Sequence, residues 1–291
     1  MQTRNPTAGE RLTFSAGTNS DHRKYRTVRG GMGVLPVIAK LAPALVETYL
    51  PGEPLIIQAY PATLGIEPIG PIVDTYLDPS VFTRSMRLAA ELGKKVAVCS
   101  QPLFAAHLLL EYLGARGGAA PTHVLMALGG YPLPNSLEAA IRGWCTDAGI
   151  FVHFVQFYGV AEIDAALMVS TERNSDGQAI YHPRPGVRPI VDTNGGLCVE
   201  LDGERFATSD LASETPQGIL VSSALRWVPE VVRELEGWGP NEWRRRTGYL
   251  KGPIRQLRES VAPASDNEQE FFDFARANGM QWLHKPDWAR L

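Results

Sequence analysis

Phe154-Val155-Gln156-Phe157-Tyr158-Gly159-Val160-Ala161-Glu162-Ile163-Asp164 is the stretch on which the reading of this chain turns. The run from Gly149 to Phe157 is apolar and rich in Val, Ile and Phe, the make-up of a buried strand. Tyr158-Gly159 follows, and a glycine there lets the backbone turn sharply. A strand ending this way delivers Glu162 to the mouth of a sheet, where open α/β sheets hold their ligands. A buried strand with a solvated glutamate satisfies the same residues, so the decision rests on the rest of the chain.

Upstream, Leu55 to Tyr60, Lys95 to Ser100 and His123 to Leu128 read as further apolar strands. Between them, Ser85 to Leu92 and Pro102 to Leu113 carry helical patterns, and Asn135 is placed to cap a helix running to Ala148. Pro61 to Pro79 reads as a loop, and Gly30-Gly31-Met32-Gly33 opens a helical segment from Val34 to Tyr49. His107, on an apolar helix, reads as a core or boundary histidine. Strands alternating with helices predict an α/β fold: a mixed, mostly parallel sheet flanked by helices over residues 1–180. Turns at Asn194-Gly195-Gly196 and Asp202-Gly203 predict a small β-rich subdomain over 181–226, with a last strand at Gly218 to Ser222. Residues 227–291 read as a short helical tail that docks on the core, including an amphipathic helix from Glu268 to Asn278.

Composition narrows the function classes. With 291 residues and 44% hydrophobic content the chain is long enough to bury a full core, and a net charge of −3 gives no reason to expect nucleic acid or an anionic membrane. Cys99, Cys145 and Cys198 are three in number and sit in apolar contexts, which predicts reduced thiols and a cytoplasmic protein. No ligand spacing for a metal cage is present, and no stretch has the character of a signal peptide or a membrane span. Near the front, Ser15-Ala16-Gly17-Thr18-Asn19-Ser20 offers backbone N–H groups and hydroxyls, with His22, Arg23 and Lys24 behind, a set suited to an anion such as a triphosphate. It is not a Walker A loop, because no second glycine precedes the lysine.

Four segments in a fixed order resemble the adenylate-forming superfamily of acyl-CoA synthetases, nonribosomal peptide adenylation domains and luciferases. Ser15 to Ser20 is similar to that family's phosphate loop, Gly129-Gly130-Tyr131-Pro132-Leu133 to its GG-A-P-L turn, Tyr158-Gly159-Val160-Ala161-Glu162 to YGxTE, and Thr208-Ser209-Asp210 to TGD. The resemblance spans Leu12 to Leu211. It implies ATP and AMP as ligands with Mg²⁺. Ser15, Gly17, Thr18 and Asn19 hold the phosphates, Gly130 and Tyr131 line the adenine and acyl pocket, and Tyr158, followed by Gly159, packs on the adenine. By the same resemblance Glu162 ligates the metal and acts in catalysis, Asp210 takes the ribose hydroxyls, and Lys251 stands for the lid lysine.

The departures from the pattern are specific. Ala161 replaces a hydroxyl residue, Asn19-Ser20 replace Thr-Gly, and Ser209 replaces the glycine of TGD. Little precedes the phosphate loop, and Lys251 lies only 41 residues after Asp210, so the resemblance is to a truncated member. Lys285 is an equal alternative to Lys251. The implied activity is ATP-dependent activation of a carboxylic acid, or transfer from an acyl-adenylate, in specialised biosynthesis. The expected substrate is a small acid, of medium size or aromatic, because Val124 to Tyr131 and Val152 to Tyr158 are apolar. A homodimer or a partner subunit would complete the pocket, and a carrier protein is among the acceptors the resemblance leaves open. Two other readings remain: a homologue with reduced chemistry that acts as a binding or regulatory subunit, and an ATP-independent acyl or amide transferase using Glu162, His153 or His182 as acid/base.

Overall fold

The computed structural model describes residues 11–14, 25–28, 33–59, 69–75, 78–115, 118–160, 163–222 and 236–248. Strands β1 (Arg11–Phe14) and β2 (Tyr25–Val28) form an antiparallel pair apart from the main sheet. Helices α1 (Leu35–Leu41) and α2 (Pro43–Tyr49) follow. The single helix expected from Val34 to Tyr49 is two, because Pro43 has no N–H to continue the first.

The main sheet has eleven strands, and its first half is parallel in the order β4 (Ile72–Asp74), β3 (Leu55–Ala59), β5 (Val96–Ser100), β6 (His123–Leu128), β7 (Phe151–Val160). The β-branched and aliphatic strands β3 and β5 are buried along their whole length, as strands covered on both faces must be. Helices α3 (Pro79–Glu91), α4 (Pro102–Gly114) and α5 (Asn135–Asp147) connect them and share one core with α6 (Pro240–Gly248), whose Trp243 is fully buried. Val34, with Val37, Ile38 and Leu45 of the first two helices, packs with Val155, Ala166 and Val169 in a separate cluster. None of the described helices is long and apolar enough to cross a membrane.

Local chemistry corrects three boundaries. Helix α3 begins at Pro79 and not at Ser85, because the Asp78 carboxylate accepts hydrogen bonds from Ser80 N (2.7 Å) and Val81 N (3.4 Å) and proline suits the first helical position. The Pro61 to Pro79 segment holds strand β4, paired to β3 through Ile56, Ile57 and Gln58. Asn135 does not cap α5 with its side chain. The cap is the Glu236 carboxylate, which takes both Asn135 N and Ser136 N at 2.9 Å from about 100 residues away.

The second half of the sheet is antiparallel: β8 (Asp164–Ser170), β9 (Ile180–Pro183), β13 (Gly218–Ser222), β12 (Glu204–Thr215), β11 (Gly196–Leu201) and β10 (Val187–Val191). This half is rolled. β9 and β10 are four ladder steps apart, which is ~19 Å in a flat sheet at about 4.8 Å per step. Yet a tight turn joins them, with Val187 N bonded to Arg184 O at 3.1 Å, and such a turn closes to under about 7 Å. The roll encloses Leu167, Met168, Tyr181, Leu197, Val199 and Ile219. The fold is thus mixed α/β, a mostly parallel sheet flanked by helices that continues into a rolled antiparallel part.

Candidate functional site

Strand β7 does not stop at Tyr158-Gly159 but continues to Val160 and turns into β8, with a register shift between Tyr158 and Val160. That irregularity leaves Gly159 exposed and Tyr158 half-buried on the same face as Met168 and Pro183. Tyr158 meets Tyr181 edge-to-face at 6.1 Å, and its hydroxyl donates to Asp210 Oδ2 at 2.8 Å. The two residues are 52 apart in sequence, and β8, β9 and β13 stand between their strands. In a flat sheet that separation exceeds what a tyrosine and an aspartate span together. The roll of the sheet brings them into contact.

Asp210 is aimed by a bulge. Gly196 pairs with Leu211 and Cys198 with Ala207, so Thr208, Ser209 and Asp210 all stand opposite Leu197. Such irregularities re-aim a side chain out of the ladder and concentrate beside functional sites. Thr208 Oγ1 donates to Leu197 O (2.7 Å) and accepts from Asp210 N (3.2 Å), which holds the bulge closed. At the turn end of the β7–β8 hairpin, Arg184 pairs with Asp164 Oδ2 at 2.7 Å and donates to Ala166 O at 2.9 Å.

The turn after β6 is the second component. Gly130 has φ +88°, a left-handed conformation that glycine adopts without cost. Tyr131, expected to line a pocket, uses its hydroxyl to accept Leu103 N at 3.0 Å and so caps the first turn of α4. Gln156 Oε1 accepts Leu133 N at 3.1 Å, tying the far end of the same turn to β7. Sequence reasoning missed this amide, although a glutamine inside an apolar strand marks a buried polar group needing a partner.

The other expected residues do not all converge. Ser15, Gly17, Thr18, Asn19, Glu162 and Lys251 lie outside the described residues, as do Lys285 and Glu268 to Asn278. His153 sits near the amino end of β7, where Nδ1 is 3.0 Å from the Tyr49 hydroxyl and the ring stacks at 6.4 Å on His123. Burial, then the positive fields of His123 and Arg142, hold the His153 imidazolium below its usual range. His182 pairs with Val169, and Val169 with Phe157, so it is on the opposite face from Tyr158, 3.7 Å from Glu172. His153 and His182 therefore do not share a site with Tyr158 and Asp210. His107 is buried, as expected of a core histidine. Among the described residues no group of three His, Cys, Asp or Glu is placed to hold a metal.

The fold and site define an α/β protein in which a strand-end tyrosine and a bulge aspartate meet at the carboxyl side of a parallel sheet. No family model and no curated protein matches the chain. Among solved structures, an acyl-CoA synthetase (AMP-forming)/AMP-acid ligase II-like protein from Dyadobacter fermentans DSM 18053 is similar over 72% of this chain and 59% of its own, at 15% identity and TM-score 0.42. IdnL1 is similar over 65% of this chain and 49% of its own, at 12% identity and TM-score 0.41. The chain thus spans about half to three fifths of the length of these structures.

Proposed function

We propose that this protein activates a carboxylic acid with ATP as an acyl-adenylate, or transfers an acyl group from one. The carrying observation is the 2.8 Å contact between Tyr158 and Asp210, two residues singled out by separate motifs and joined only through the roll of the sheet. In this reading the Asp210 carboxylate accepts the ribose hydroxyls, Tyr158 packs on the adenine, and Gly130 and Tyr131 border the base and the acyl group. Ser15, Gly17, Thr18 and Asn19 bind the phosphates, and Lys251 or Lys285 supplies a cation to the reacting carboxylate. One carboxylate oxygen bonds to the α-phosphorus while the bond to pyrophosphate breaks, so the products are acyl-adenylate and pyrophosphate.

Magnesium suits one carboxylate plus phosphate oxygens and does not need an all-protein cage. Glu162 is the residue proposed to hold it, and when bound the ion neutralises charge on the phosphates. ATP–pyrophosphate exchange over a panel of small aromatic and aliphatic acids tests the reading. Exchange with at least one acid, weakened in Asp210→Asn and Glu162→Ala, supports it. No exchange with any acid, together with no ATP binding by calorimetry, overturns it.

Ala161 favours a second reading, because it removes a hydroxyl beside the phosphates: a subunit that binds nucleotide or acyl-adenylate without turnover. Calorimetric binding of ATP with no exchange, and co-purification with a complete synthetase, is the outcome that selects it.

A further inference from the structure

Three buried glutamines lie on or directly after strands of the parallel half: Gln58 on β3, Gln101 directly after β5 and Gln156 on β7. Gln156 is engaged by Leu133 N. Gln101 is different. It is 2% exposed, and its Oε1 is buried with no hydrogen-bond partner among the described residues. It is the N-cap residue of the thirteen-residue helix α4, yet its side chain makes no capping bond, and the Leu103 N–H goes to the Tyr131 hydroxyl. A buried carboxamide oxygen left without a donor keeps its full desolvation penalty, which native proteins accept mainly where a ligand or water completes the group.

Its position agrees. The chain leaving β3 runs to β4 on one side, whereas the chain leaving β5 runs through α4 to β6 on the other. Adjacent strands with diverging connections open a crevice at their carboxyl ends, the site at which α/β sheets bind small molecules. Ser100, the last residue of β5, donates through Oγ to Ala59 O at 2.7 Å and ties the ends of the two strands together. The residues that follow it, Pro102, Leu103 and Phe104, are apolar and buried. A buried acceptor followed by apolar residues matches a small molecule with an apolar body and a donor group.

We infer that Gln101 is a specificity-determining residue whose Oε1 accepts a hydrogen bond from a hydroxyl or amino group on the bound small molecule. That this molecule is the acid to be activated rests on the adenylation reading; the site itself does not. A site built to bond a hydroxyl rejects the analogue lacking it far more strongly than an apolar pocket discriminates by size, so hydroxy- or amino-acids are expected to be favoured over their unsubstituted partners by about 100-fold or more.

The test uses the full chain, isotopically labelled, with phenol and benzene as paired probes, and the Gln101 side-chain NH₂ resonance assigned by its loss in both Gln101→Leu and Gln101→Glu, so that one unfolded variant does not end the experiment. Phenol is expected to shift that resonance and to raise the melting temperature of the wild type but not of Gln101→Leu, while benzene does neither. Equal shifts from both probes, or none from either, overturn the inference and leave Gln101 holding at most a buried water. In ATP–pyrophosphate exchange with acids paired as hydroxylated and unsubstituted, Gln101→Leu is expected to cut the preference at least tenfold. Absence of exchange with every acid overturns the adenylation reading alone, since the phenol result still decides Gln101.

Discussion

Removing the Tyr158 hydroxyl is the sharpest probe of how the rolled half of the sheet is joined to the parallel half. The bond to Asp210 Oδ2 is 2.8 Å long and has a charged acceptor, a class worth about 1.5–3 kcal/mol when shielded. Both side chains are half-buried, so water competes for each when the other is gone, and a net coupling of about 1 kcal/mol follows. The measurement is a double-mutant cycle by urea denaturation on the wild type, Tyr158→Phe, Asp210→Asn and the double variant. Each single variant is expected to lose about 1 kcal/mol, and the double variant to lose less than the sum by a similar amount. Additivity within about 0.3 kcal/mol refutes the argument, because residues that touch cannot be energetically independent. On the adenylation reading the same proteins separate structure from ligand binding: Asp210→Asn is expected to weaken ATP about tenfold, whereas Tyr158→Phe leaves the carboxylate in place and costs less.

Four further outcomes follow from the packing and the charges. Glu236→Ala leaves the Asn135 and Ser136 amides to water and is expected to cost about 1 kcal/mol, a fall of roughly 2–4 °C in melting temperature, with an unchanged melt counting against the cap. Trp243→Ala empties a fully buried site and breaks its 3.0 Å bond to Ser136 Oγ, so a loss of about 3–5 kcal/mol is expected by denaturation. Burial, then neighbouring positive charge, lowers the proton affinity of His153 and His123 in the folded state. Their contribution is therefore complete above the unfolded value near ~6.5 and is lost as pH falls through the lower folded values; the urea midpoint should drop on acidification below about pH 6.5, and less so in His153→Gln. Burial pushes the Cys99 and Cys145 thiols up to about 12, so Ellman's reagent should modify half-buried Cys198 first in the native protein and all three cysteines only in denaturant.

The parallel half of the sheet was legible because its strands are short, apolar and separated by helices with a clear period, as in Val96–Ser100 followed by Pro102–Gly114. Strand β4 was hidden inside a Pro/Gly-rich stretch, where three residues at an edge carry no period of their own. Glu236 as the cap of α5 was invisible for a different reason: its partners lie about 100 residues upstream, and no local pattern reports a contact of that range. Asp210 was singled out by the Thr-Ser-Asp motif, but its meeting with Tyr158 depends on the roll, which is set by ladder order and not by the composition of either strand. The capping role of the Tyr131 hydroxyl on α4 was not legible in the sequence, because the N–H it meets belongs to a helix start 28 residues upstream.

The site is therefore a consequence of sheet geometry more than of any one motif. The chain places β10 directly after β9 through the tight turn 184–187, yet pairs β9 with β13 and sends β10 to the far edge. Five strands whose first and last members are neighbours in sequence and joined by a tight turn can satisfy both conditions only by curling. The same curl carries β12 back over the face of β7 on which Tyr158 lies, and the bulge opposite Leu197 turns Asp210 off the ladder toward it. Sequence motifs choose the two side chains, while the short 184–187 turn sets the distance between them. The point between β3 and β5 at which the connections diverge is set separately, within the parallel half. The Tyr158–Asp210 contact and the Gln101 amide therefore belong to different parts of one continuous sheet, with Gln156 and the turn it anchors after β6 standing between them.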